Sequence, residues 1–451
     1  MNAVAGPSNV NNGQLNVQPC DAQSASAPLD NRLIRSGDTV LLRLPNAEIR
    51  SVQLQSNTTA SLGKYGSFKA NALLGQPYGF TYEIVNKELK IVAAKPIEDV
   101  EDTNATNELI NDGQFVQPLT TLEIESLKQS GVRVEDIIKA QIEQHANYAL
   151  KTEYSKDKYR KRKEAKYSKS FTTLEPTLWH VAEYWFAKDP TRIREVRPDA
   201  LAQMLTLANI HPGGRYLVVD DGGGILVAGV LERLGGQGRL LVINNAESPP
   251  VFYVLSHMNF PPSYTEDVMR SINWAYMDDA WEPVVPVDAE PEVVNDKQRM
   301  RMAKRKRTQD KINETREELF RGEWDALLVS SEYEPYSIVE ALEPYLAGSS
   351  NIVVHSPHIQ ILANLHTKLR AEPQYLAPNL LETWTRQYQV LPGRTHPLMT
   401  TSGSAGFVLH AIKIYNDPNA SAAEPARKVA RAAKRRRIQA KDSLMNGDVD
   451  V

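Results

Sequence analysis

An apolar run, Tyr216-Leu217-Val218-Val219, ends in the carboxylates Asp220 and Asp221, followed by Gly222, Gly223 and Gly224 and then Ile225 and Leu226. Strand, glycine turn and helix is how Rossmann-like α/β folds present a nucleotide cofactor. Backbone approaches the ligand where side chains are absent, and a helix amino terminus faces it. The same three glycines also serve as a plain tight turn, and a lone glycine loop does not separate the two readings.

The second set of chemically expressive residues is cationic. Residues 151–169 carry nine Lys/Arg against three Asp/Glu, interleaved with Tyr154, Tyr159 and Tyr167. Cations neutralise phosphates and aromatic rings stack on exposed bases, so Lys158, Arg160, Lys161, Arg162, Lys163 and Lys166 are candidate RNA ligands. The alternative is a solvated helix whose lysines lay their stems along its surface. Two further runs, Lys304-Arg305-Lys306-Arg307 and Lys434-Arg435-Arg436-Arg437, have the composition of nuclear-import signals, or of polycations that capture RNA without specificity.

The third is the stretch from Gln389 to Gly403, which holds Pro392, Gly393, Arg394, His396 and Ser402 and shows neither helical nor strand period. It reads as one loop before the final strand. By residue chemistry alone, Arg394 and His396 either meet a phosphate or hold the loop together.

Composition narrows the field. With 451 residues, 41% hydrophobic and 24% charged, the chain accommodates two or three domains with real cores. The net charge of −3 is uninformative, because the basic residues are bunched. A single cysteine, Cys20, excludes an intramolecular disulfide and a cysteine-built zinc site and fits a reducing compartment. No apolar run reaches the roughly 18 residues of a membrane span.

These groups need elements to position them. Residues 1–31, rich in Asn, Ala, Ser and Gln, read as a disordered leader. Short strand-like runs at Val40–Leu44, Ser51–Leu54, Thr81–Val85 and Leu89–Val92 predict a small β-barrel-like domain over 32–97. An acidic loop occupies 98–118, and connecting helices with the basic segment span 119–190. From 191 to 415, strands at Arg215–Asp220, Leu240–Ile243, Ala326–Val329 and Asn351–His355 alternate with helices, which predicts a doubly wound Rossmann-like sheet. A basic insertion interrupts it near 285–320, Phe407–Ile414 forms a last strand, and 416–451 is a basic disordered tail.

The glycine crossing is similar to that of class I methyltransferases, which bind S-adenosylmethionine there. Relative to that pattern three positions depart. Leu226 stands where a small residue is expected, and its side chain would project towards the cofactor. The second strand ends in Asn244 in place of a carboxylate for the ribose hydroxyls. The fourth ends in Ser330, where an active adenine methyltransferase of this type carries an acid. Asp220, Gly222, Gly223, Gly224, Leu226 and Asn244 therefore read as a degenerate cofactor loop.

The stretch Gln389–Gly403 closely resembles the signature of the non-catalytic subunits of the tRNA (adenine-58-N1)-methyltransferase. So do Leu62–Phe68, Leu74–Gly79, Leu119–Lys128, Lys161–Tyr167, Arg197-Pro198-Asp199 and Asn209-Ile210, in order, over about 32–414. The resemblance implies a class I methyltransferase fold without catalytic or metal-binding residues of its own. It implies a catalytic sister that carries S-adenosylmethionine, a heterotetramer of two heterodimers, and tRNA, initiator tRNA included, as the bound substrate. It also implies that the β domain and the final strand help to build the oligomer. A nuclear location follows from the basic runs. The rival expectations are an active RNA methyltransferase, and an RNA-binding factor acting directly in translation initiation.

Overall fold

In this computed structural model the described residues are 33–92, 121–130, 132, 134–143, 153–246, 250–278, 280–282, 295–391, 394–415 and 434. The leader at 1–31, the acidic loop at 98–118 and, Lys434 apart, the tail at 416–451 lie outside them.

The chain opens with β1 (Thr39–Arg43), β2 (Ile49–Gln53), β3 (Thr59–Ser61), β4 (Ser67–Lys69), β5 (Thr81–Val85) and β6 (Glu88–Val92). Alternation sets their faces. Val40 and Leu42 enter a core with Phe68, Tyr82 and Ile84, whereas Leu41 points the other way into the core of the larger domain. Three helices follow: α1 (Thr121–Gln129), α2 (Val134–Glu143) and α3 (Glu153–Tyr167). Ile124, Ile137, Ile138 and Tyr167 hold them together.

The next element corrects the expected domain boundary. β7 (Ser170–Leu174) returns to the first domain and takes the middle of its sheet, in the order β2-β1-β7-β5-β6. Phe171 stacks on Phe68 and Tyr82, with ring centroids 5.0 and 5.7 Å apart. The β domain is thus discontinuous, and 119–190 is not helical throughout. Phe171 and Thr173, two residues apart, are the buried pair of a β-prone Phe-Thr-Thr run, and the adjacent lysine-rich helix hides the strand from a composition-based reading. Among the described pairings the sheet stays open, with β2 and β6 at its edges and the β3–β4 ladder separate.

The larger domain comprises α4 (Leu178–Lys188), α5 (Pro198–Leu207), β8 (Arg215–Asp220), α6 (Ile225–Leu234), β9 (Arg239–Asn244), α7 (Pro262–Glu266), β10 (Met269–Asn273), α8 (Asp296–Phe320), β11 (Trp324–Ser330), α9 (Pro335–Leu342), β12 (Leu346–Ser356), α10 (Ile359–Ala371), β13 (Tyr375–Glu382), β14 (Tyr388–Leu391), β15 (Arg394–Pro397) and β16 (Phe407–Lys413). Its seven-stranded sheet runs β10-β9-β8-β11-β12-β16-β13, and only β16 is reversed. Successive residues of β8 serve two cores. Tyr216 and Val218 pack with α4, α5 and α6, and Leu217 and Val219 pack with α9 and α10 on the other face. That is why the central strands read as unbroken apolar runs.

One expectation fails here. Gln389–Gly403 is not an irregular loop: β14 and β15 form an antiparallel hairpin with Leu391 opposite Arg394 and Gln389 opposite His396. The final strand is paired on both sides, so the sheet edge belongs to β13. A hairpin rich in Pro, Thr and His lacks the apolar alternation that announces a strand, and the edge position depends on a crossover that local sequence does not encode.

The two domains are joined by an amide that imitates a strand. The Thr39 N–H donates to Asn259 Oδ1 and Asn259 Nδ2 donates to the Thr39 carbonyl, both at 2.8 Å.

Candidate functional site

The glycine loop lies where β8 ends and α6 begins, at the carboxyl rim of the sheet, where open α/β folds bind ligands. Its helix has no side-chain cap from Gly224. Instead Asp220, buried, accepts from the backbone amides of Gly222 (2.7 Å), Leu226 (2.8 Å) and Val227 (3.2 Å). Burial raises its carboxyl to about 6, against the downward pull of those three amides. The amino-terminal N–H groups of α6 that would hold an anionic ligand are engaged by the protein's own acid.

The room that the glycines create is also taken. A Cβ on Gly223 would fall inside the Tyr253 ring, and one on Gly224 would lie 2.6 Å from Phe252 Cβ. Gly222 faces the Ile193 backbone, 3.2 Å from such a Cβ. Tyr253 is fixed from its far side by Trp185, with centroids 4.6 Å apart, and its hydroxyl donates to the Arg192 carbonyl. The Val254 N–H donates to the Gly223 carbonyl at 3.2 Å, which straps the segment to the loop.

Leu226 does not project towards a cofactor as expected. It is fully buried in the core between the sheet and α5, because the second residue of α6 faces inward. The obstruction comes from Phe252 and Tyr253, which sequence reasoning missed. The only local signal was an aromatic pair just after Pro249-Pro250.

The strand ends are engaged as well. Asn244 Nδ2 donates to the Ile272 carbonyl (3.2 Å) while its Oδ1 accepts from the Ala246 N–H (2.9 Å). Ser330 is buried, with its hydroxyl 3.4 Å from His355 Nδ1. The Ser331 hydroxyl donates to Asp221 Oδ2 at 2.6 Å, and the Glu332 N–H donates to the same oxygen at 3.0 Å. Asp221 therefore ties the glycine loop to the end of β11. Among the described residues no group of three His, Cys, Asp or Glu is placed to hold a metal.

The cationic candidates stand on two separate elements. Lys158, Arg160, Arg162 and Lys166 are exposed on α3, and Lys161 lies on the same helix with its side chain outside the described set. Lys163 differs. It is half-buried, with Nζ 5.2 Å from the Tyr159 ring and 5.7 Å from the Tyr167 ring, and burial lowers its pKa. Tyr167 is buried, so it does not offer a stacking face to a base as expected. Arg394 opens β15 with its side chain outside the described set. His396 is half-buried, its Nδ1 2.6 Å from the Pro397 carbonyl. Around this hairpin, Trp384, Tyr388, Val390 and Met399 are all more than half exposed.

A seven-stranded sheet with one reversed strand and a glycine turn at its carboxyl rim defines a class I methyltransferase fold, here with the turn filled by the chain's own aromatic residues. The model of the Gcd10p family matches residues 33–317, and the chain belongs to that family. It is 30% identical to the tRNA (adenine(58)-N(1))-methyltransferase non-catalytic subunit of Schizosaccharomyces pombe, over 88% of this chain and 95% of that one. It is 31% identical to the subunit so named from Kluyveromyces lactis, over 82% of this chain and 84% of that one. Among solved structures it is similar to the tRNA (m1A58) methyltransferase of Aquifex aeolicus, at 14% identity and a TM-score of 0.44, covering 85% of this chain and all of that one.

Proposed function

We propose that this chain is the non-catalytic subunit of the S-adenosylmethionine-dependent tRNA adenine-58 N1-methyltransferase. It binds tRNA and completes a catalytic sister of the same fold, and it carries no cofactor itself. The observation that carries the second half is the filled glycine turn: Tyr253 and Phe252 occupy the space over Gly223 and Gly224, and Asp220 occupies the helix donors. A chain that kept its own methyl-transfer site would leave both open to a ligand. Family membership and the names of its relatives support the first half.

The partner surface is assigned to the edge at β13 and the hairpin beside it. Trp384, Tyr388, Val390 and Met399 form an exposed apolar set of the kind that marks protein contacts. Pairing there with the sister, and of two such pairs with each other, gives the heterotetramer. The exposed cations of α3 and the hairpin residues Arg394 and His396 take tRNA phosphates, and the basic run at Lys304–Arg307 or that beginning at Lys434 directs the complex to the nucleus. Among the described residues no helix is long and apolar enough to cross a membrane.

Co-expression with and without the catalytic sister, followed by calorimetry and a methylation assay on tRNA, tests this. The complex should bind S-adenosylmethionine and methylate; the lone chain should do neither. Micromolar binding of S-adenosylmethionine by the lone chain, or methylation by the sister unaided at the rate of the complex, overturns the reading.

A further inference from the structure

Helix α8 is much longer than the sheet it crosses. Its 25 residues span about 37 Å at 1.5 Å per residue, against about 17 Å for a five-residue strand such as β10. Among the described residues only its last turns are anchored. Thr315 and Leu319 are buried, Glu318 pairs with Arg239 at 2.7 Å, and the Arg316 guanidinium lies over Trp281. Arg316 also donates to the carbonyl of Asp278, a residue already beyond the end of β10. Glu318 sits at the amino end of β9, where Arg239 begins the strand. Roughly twelve helical residues cover the length of such a strand, so the turns before about residue 306 extend past the carboxyl rim. They begin in a full capping box, in which Asn295 and Gln298 satisfy each other's backbone amides.

That projecting part holds seven Lys/Arg and no acid between Lys297 and Arg307, and all seven are exposed. Its electrostatics oppose its own fold. Lys297 and Arg301, and Arg301 and Arg305, are like charges at i,i+4, which destabilise a helix. Cations at the amino-terminal end also oppose the helix dipole. A merely solvated helix would intersperse acids. A polyanion laid along this one reverses the sign of the like-charge term and releases condensed counterions.

We infer that the projecting half of α8 is a third RNA-binding surface, an arm that contacts tRNA phosphates from the glycine-loop rim of the sheet, apart from α3 and the hairpin. This rests on the proposed tRNA-binding role and adds to it a surface and a direction of approach.

The test uses the full-length complex with its catalytic sister and an unmodified tRNA transcript. In one variant Lys304, Arg305, Lys306 and Arg307 are all changed to Gln, which keeps helix propensity; circular dichroism and melting confirm that the fold persists. A second variant carries Lys158→Gln, Arg162→Gln and Lys166→Gln on α3. The arm variant should bind tRNA about tenfold more weakly near 0.1 M salt. Its plot of log affinity against log salt should flatten by about two to three, at roughly 0.7–0.9 per lost phosphate contact. An unchanged slope in the arm variant, with a flattened one in the α3 variant, overturns the arm and leaves the tRNA-binding role standing. An unchanged slope together with lost nuclear accumulation overturns it in favour of an import receptor. Failure of the unaltered complex to bind tRNA overturns both readings.

Discussion

Arg197 and Asp199, two residues apart at the start of α5, form a buried two-pronged ion pair, at 2.7 Å from Nε and 2.8 Å from the second guanidinium nitrogen. Both partners reach across to the hairpin. Arg197 donates to the Ser402 hydroxyl (2.9 Å) and the Thr383 carbonyl (3.4 Å), and Asp199 accepts from the Thr385 hydroxyl (2.7 Å). The pair clamps the chain on both sides of β14 and β15.

Removing the cation leaves a buried carboxylate without its partner. Arg197→Ala should cost about 3 kcal/mol, from the range for breaking a buried pair, and should expose the hairpin to limited proteolysis. A melting curve and digestion pattern like those of the unaltered chain would make the clamp dispensable. Burial pushes the Asp199 carboxyl up, but the hydrogen bonds from Arg197 and Thr385 outweigh it and hold the group at about 2. Because the folded value lies below the unfolded one, the stabilisation is present above pH 4 and is lost as the pH falls from about 4 to about 2. Asp199→Asn should remove that acid-sensitive component.

His355 gives a second, separable pH response. Burial pushes its imidazole down to about 4, with the ring held between the Ser330 hydroxyl and the Ala405 carbonyl, 3.0 Å from Nε2. The unfolded chain takes up a proton near pH 6.5 and the folded chain does not. Stability is therefore complete above pH 6.5 and declines between 6.5 and 4, by up to about 3 kcal/mol at about 1.4 kcal/mol per unit. Denaturant titrations across that window should show a shallower decline in His355→Gln.

Gly223→Ala tests how tightly the glycine turn is filled. The position has φ of +65° and the Tyr253 ring where the methyl would go. Left-handed backbone costs an alanine about 1–2 kcal/mol and overpacking adds about 1–3 kcal/mol. A loss of about 2 kcal/mol or more in the lone chain is expected. A neutral substitution would mean that Tyr253 swings away easily and the turn is open.

For tRNA, Arg394→Ala should weaken binding to the assembled complex by about 1–3 kcal/mol, the range for hydrogen bonds to charged groups. S-adenosylmethionine affinity should not change if, as proposed, that site belongs to the sister. Unchanged tRNA affinity with a lowered melting temperature would make Arg394 structural. Lys163→Gln, by contrast, should lower stability more than RNA affinity, since Lys163 packs against Tyr159 and Tyr167.

The sheet was legible in the sequence because strands buried on both faces leave continuous apolar runs, and Tyr216–Val219 and Leu240–Ile243 fall where they were read. The glycine turn was legible as a turn. What closes it was not: Tyr253 lies 30 residues after Gly223, and its packing depends on Trp185, 68 residues before it. Nothing local marks Asn244 as hydrogen-bonded to the next strand, or Leu226 as facing inward. The departures at these two positions are visible from residue types, whereas the direction of the Leu226 side chain is set by the helix phase, which residue type does not provide.

The place of β7 between β1 and β5 bears on how the protein is made. As the chain leaves the ribosome, the strands of the first 92 residues emerge with a gap at the centre of their sheet, and nothing fills it until residues 170–174 have been synthesised. Until then the facing edges of β1 and β5 have unpaired N–H and C=O groups and a core without Phe171. Such edges are sites of wrong association. Completion of the β domain is thereby delayed until α1 to α3 have been translated. A fragment ending at residue 92 would be less a domain than the two outer hairpins of a sheet, with the β3–β4 ladder beside them, awaiting their middle strand.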